Sequence, residues 1–160
     1  MQLISRQHDV RWPKLPQLDV YDVVDDEPTE QRMQLFVRNR WSFPMTLYIE
    51  AHSSDEEALL KLSLPLQKMC SIKKNLYVTR KGWVREYIPA YKLIIEDEEL
   101  LKEAFHELFY VAEQNFVFAL TNEPSLFYKG YNLTTASDTI EIVTADYDGQ
   151  GVIFMTKGRD

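Results

Sequence analysis

At 160 residues, 45% hydrophobic and 12% aromatic, the chain is long enough to bury a core as one domain spanning residues 1–160, and too apolar for wholesale disorder. A formal charge of −7 opposes general contact with nucleic-acid phosphates, so no direct nucleic-acid partner is expected, and a total of only five glycines disfavours phosphate-cradling loops. The single cysteine, Cys70, excludes an internal disulfide and fits a reducing, cytoplasmic compartment; the first residues lack the basic and apolar runs of a signal peptide, and no run of about 18 apolar residues offers a membrane helix.

Along the chain, Trp12, Pro13 and Pro16 predict an extended arm over 11–17. Leu18 and Val20 alternate with Asp19, Tyr21 and Asp22, predicting a strand over 18–24 that ends in the acidic turn Asp25-Asp26-Glu27-Pro28. The same period predicts a strand over 32–38, with Met33, Leu35 and Val37 on one face, and another over 45–51, with Met45, Leu47 and Ile49 together. A turn from Trp41 to Pro44 joins these two as an antiparallel pair. Ser53-Ser54-Asp55-Glu56-Glu57 has the spacing of a helix start. Leu60, Leu62, Leu64 and Leu66 keep strand alternation in play there, with the helix from Asp55 the favoured of the two.

Residues 68–74 read as connecting structure, 76–79 and 83–88 as a hairpin turning at Gly82, and 91–96 as a further strand. The clearest element is a long helix over 97–114: Leu100, Leu101, Ala104, Phe105, Leu108, Phe109 and Ala112 recur at helical spacing behind an acidic first turn. A short strand over 116–120 and an aromatic loop or turn over 127–131 follow. Strands over 139–145 and 151–156 flank Asp146-Tyr147-Asp148-Gly149-Gln150. The sum is an α+β fold, a mostly antiparallel sheet of about six or seven strands packed by one long helix and a shorter one.

Catalytic and cofactor motifs are missing. Asp146 and Asp148 before Gly149 resemble part of a calcium loop, but no third acidic position or closing Glu follows, so a hairpin turn is expected and no metal or cofactor is assigned. His8, His52 and His106 fall at no metal-ligating spacing. His52, which could join Cys70 or one of the following serines, with His106 and the carboxylates are the groups an enzyme with a non-motif active site would use; an adaptor subunit of a larger assembly is the third reading.

What stands out is surface character. Acidic clusters fall at turns and helix starts, and aromatic residues lie on polar strand faces or in turns, a pairing common at protein interfaces. The expected contact residues are Asp25, Asp26, Glu27, Trp83, Tyr128, Tyr131, Asp146, Tyr147 and Asp148. In size, charge and absence of motifs the chain resembles the small acidic immunity proteins that bacteria direct against toxins, a likeness carried by no residue signature. The function expected is inhibition of a protein partner, a basic toxin or nuclease, with no membrane contact.

Overall fold

A computed structural model describes residues 1–6 and 18–157; the arm expected over 11–17 and His8 lie outside them. The described residues form ten strands: β1 (Gln2–Ser5), β2 (Leu18–Val24), β3 (Met45–Glu50), β4 (Gln67–Thr79), β5 (Gly82–Ile95), β6 (Phe118–Thr121), β7 (Phe127–Lys129), β8 (Asn132–Thr134), β9 (Glu141–Ala145) and β10 (Val152–Lys157). Eight of them make one sheet in the order β1-β2-β10-β9-β6-β3-β5-β4, and β7 and β8 pair separately. Every pairing is antiparallel. The helices are α1 (Thr29–Arg40), the short α2 (Glu56–Leu60), α3 (Glu98–Leu108) and α4 (Tyr110–Glu113). None of the described helices is long and apolar enough to cross a membrane.

The α+β class and the antiparallel sheet stand as expected, but several elements differ. The segment 32–38 is helical, not a strand. Both periods fit its sequence, and the core selects between them: Met33, Phe36 and Val37 are buried at i, i+3 and i+4, while Leu35 is only half-buried. The long helix expected over 97–114 is α3 followed by α4, with Phe109 between them, and α1 matches α3 in length. Residues 68–74 are not connecting structure but part of β4, and 83–88 and 91–96 are one continuous strand, β5. The aromatic segment over 127–131 is the β7–β8 hairpin, turning at Gly130 with φ +64°.

Side chains of opposite strand parity feed two cores. On one face α1 and α3 cover Leu47, Ile49, Leu93, Leu120 and Phe154, joined by Met33, Phe36, Leu101, Phe105 and Leu108. On the other, Tyr48, Ala119, Ile142, Ile153 and Met155 lie under Leu126 and Leu133 of the β7–β8 region.

Two polar devices fix the helices. The Asp97 carboxylate caps α3, accepting from Leu100 N–H at 2.8 Å. Asp97→Ala is expected to cost about 1 kcal/mol, measured by urea denaturation. At the end of α1, Arg40 donates to both oxygens of Glu141 on β9 at 2.9 and 2.7 Å, and Trp41 Nε1 donates to the same carboxylate at 2.7 Å. Burial alone would raise the Glu141 pKa, but the bonds from Arg40 and Trp41 outweigh it and hold it below its ordinary 4.5. A lowered folded-state pKa means that the stabilisation is complete above the unfolded value and fades as pH falls through the folded one. Glu141→Gln should therefore lower Tm at neutral pH, and the gap between variant and wild type should close as the buffer is taken well below pH 4.5.

Candidate interaction surface

The register places several strand ends together. Glu50 closes β3 opposite Ala90, Ile49 lies opposite Phe118 of β6, Ala119 opposite Thr144 of β9, and Val152 of β10 pairs with both Ala145 and Val23. β5 from 82 to 88 and its partner residues in β4 therefore continue past the sheet as a two-stranded ribbon, about 20 Å long at roughly 3.4 Å per residue.

The ribbon is unlike the rest of the molecule. Tyr77, Val78, Trp83 and Tyr87 are each 55–64% exposed on it. Over the ribbon and its turn, from Ile72 to Ile88, the chain holds five Lys and Arg but one acid, Glu86, a net +4 that leaves −11 on the remainder. Lys73 lies over the Tyr87 ring at 5.7 Å, and Arg85 donates to Asn75 Oδ1 at 3.0 Å. β4 is also a sheet edge; register shifts at 68/70 and 75/77 and its lysines guard it against indiscriminate strand pairing.

A buried charge anchors the ribbon at its root. Glu50 is 1% exposed, and its carboxylate accepts from Lys74 Nζ on β4 and, at 2.6 Å, from the Tyr128 hydroxyl on β7. Burial, then the Glu50 charge, pushes the Tyr128 hydroxyl far up. Cys70 also lies opposite Ala90, in the same row as Glu50. Burial and Glu50 raise its thiol against the pull of Lys68, so it is a protonated, weakly nucleophilic group.

Between the ribbon, the α4–β6 connection, the β8 end and the β9–β10 turn opens a cleft of about 470 Å³, with Glu50, Lys74, Gln114, Tyr131, Asn132 and Tyr147 among its lining residues. The two acidic turns sit at this same end of the sheet, tied by Gly151 N–H donating to Thr29 Oγ1 at 3.0 Å. Asp25 is half-buried, while Asp26 and Glu27 are exposed.

The β9–β10 connection is a 3-10 turn, with Asp148 at φ +56° and Gly149 at +71°. Asp148 is exposed and exchanges two hydrogen bonds with Asn115, at 2.6 and 2.7 Å. Asp146 caps Tyr147 N–H at 2.8 Å and accepts from Arg6 at 2.8 Å.

Of the nine expected contact residues, Tyr131, Tyr147 and Asp148 are exposed around the cleft and its turn, Asp26 and Glu27 are exposed on the neighbouring turn, and Trp83 is exposed on the ribbon. Tyr128 is instead a half-buried partner of Glu50, and Asp146 bonds inward. Sequence reasoning missed Glu50, Lys74 and the ribbon as a projecting basic element. The run Lys73-Lys74, then Arg80-Lys81-Gly82-Trp83, carried the signal, since basic and aromatic residues around a hairpin turn share one protrusion.

The groups named for catalysis come together only in part. The Ser54 hydroxyl is 2.7 Å from His52 Nδ1, and His52 Nε2 is 3.2 Å from Glu86. Ser54 N–H already donates to His52 Nδ1, Asp55 N–H to the His52 carbonyl and Glu56 N–H to the Ser53 carbonyl, so these amides are not open to a developing oxyanion. His106 is exposed on α3, outside this line. Among the described residues no group of three His, Cys, Asp or Glu side chains is arranged to hold a metal ion. Comparison with protein-family models, curated proteins and solved structures finds no match, so the surface is read from its own chemistry.

Proposed function

We propose that the chain is a protein-binding inhibitor of the immunity type, which neutralises a toxin or nuclease at the ribbon end of its sheet, its acidic turns meeting a basic part of the partner and its ribbon an acidic or neutral strip. The observation that supports this most is the ribbon, where Val78, Trp83 and Tyr87 stand in solvent on one face, with Tyr77 exposed on the other, on an element anchored by the Lys74–Glu50 pair. Monomeric proteins seldom leave such groups gathered without a partner, and Trp and Tyr supply much of the binding energy at interfaces. The acidic turns at Asp25–Glu27 and Asp148 meet a basic surface, while the ribbon's own charge suits an acidic or neutral strip beside it.

The test is capture of partners by the tagged chain, compared with a Trp83→Ala/Tyr87→Ala variant. Both side chains are exposed, so the variant should keep the wild-type Tm while losing a stoichiometric protein partner, with affinity falling at least 30-fold if either is a hot spot worth about 2 kcal/mol. Equal capture by both proteins would contradict the proposal. A second reading rests on the same ribbon: Lys73, Arg80, Lys81 and Arg85 around Tyr77, Trp83 and Tyr87 are the side chains that hold single-stranded nucleic acid. Loss of bound nucleic acid rather than protein in the variant would favour it.

A further inference from the structure

The cleft beside the ribbon has chemistry of its own, independent of partner docking. Its ionic groups are already compensated: Glu50 by Lys74 and Tyr128, and Asp146 by Arg6. A phosphate or a cation entering it would gain little net Coulomb attraction while losing its hydration. What remains open is neutral. The carboxamides of Gln114 and Asn132 and the hydroxyl of Tyr131 make no side-chain hydrogen bond among the described residues, and all three line the cleft.

Each carboxamide offers both a donor and an acceptor, the pattern that matches adjacent hydroxyl groups, which also donate and accept. The ring of Tyr131, 58% exposed, adds a flat apolar face against which the C–H face of a sugar ring packs. At about 470 Å³ the space falls inside the roughly 300–1,000 Å³ of small-molecule sites.

We infer that this cleft binds a neutral saccharide of one or two rings, its hydroxyls held by Gln114 and Asn132 and one ring face laid on Tyr131. Glu50 and Lys74 line the cleft as a bonded pair, and the Tyr128 hydroxyl donating to Glu50 holds that pair in place.

The experiment is a titration of the isotopically labelled 160-residue chain with maltose, cellobiose and N,N′-diacetylchitobiose, read by amide nuclear magnetic resonance, with inorganic phosphate and free arginine as parallel arms. At least one disaccharide should produce saturable shifts at the Gln114 and Asn132 side-chain amides and around Tyr131. In a Gln114→Ala/Asn132→Ala variant that keeps the wild-type spectrum elsewhere, affinity should fall about tenfold or more, as expected for two lost hydrogen bonds. No saturable shift with any of the three sugars, shifts with phosphate or arginine alone, or undiminished sugar binding by the variant would each overturn the assignment.

Discussion

Phe118→Ala should destabilise the fold by about 3–5 kcal/mol, read as a lower urea midpoint at unchanged slope. Phe118 is 0% exposed on β6, in the middle of the sheet order. Its ring stands edge-on to Phe105 of α3, with centroids 5.1 Å apart at 69°, and to Phe109, at 5.3 Å and 84°. Truncation removes the transfer free energy of the ring, both edge-to-face contacts, and the wall on which α3 turns into α4. The fused packing of helix and central strand leaves little freedom to collapse into the void, which places the cost toward the upper part of that range. A loss below about 1 kcal/mol would mean that α3 does not pack on β6 in this way.

Lys74→Met should cost about 3 kcal/mol, and Glu50→Gln distinctly less. The asymmetry follows from exposure. Lys74 keeps 29% of its side-chain surface in solvent, so when Glu50 becomes a neutral amide the ammonium can turn outward and rehydrate. Glu50 has no such exit. With 1% exposure it would keep one hydrogen bond, from Tyr128, and no counter-charge, the situation in which breaking a buried pair is most damaging. Equal losses in the two variants would show that the Glu50 carboxylate reaches water. The same pair fixes the ribbon's root, so Lys74→Met should also speed amide exchange along 71–79 before global unfolding.

Much of the architecture was legible where one period dominated. Leu18–Val24 and Met45–Glu50 alternate, and Leu101, Ala104, Phe105 and Leu108 recur at helical spacing behind the Asp97 cap, while Val152–Lys157 is marked by its apolar run after the Asp148-Gly149 turn. The α1 segment was not legible, because Met33 and Val37 satisfy both periods and only contact with the core makes Phe36 their companion. β4 was hidden for a different reason. It is an edge strand, exposed on most of its residues, so Lys68 to Lys74 lack the apolar alternation that marks a half-buried strand.

The site divides in the same way. Exposed turn residues such as Asp26, Glu27 and Tyr147 can be read from turn chemistry. Whether a carboxylate is free or bonded inward depends on residues distant in sequence, such as Arg6 for Asp146 and Tyr128 for Glu50, and alternation along one strand carries no trace of them. The charge of the ribbon was available from composition within one hairpin, but its significance depends on the register that carries β4 and β5 past the end of β3.

The most direct test of the central claim is amide hydrogen exchange on the chain with its captured partner bound, compared with the chain alone. New protection is expected over 71–88 on the ribbon and at the turns around residues 25–27 and 146–149, with the solvent faces of α1 and α3 unchanged. Protection confined to those helix faces, or to the β1 edge, would contradict that claim.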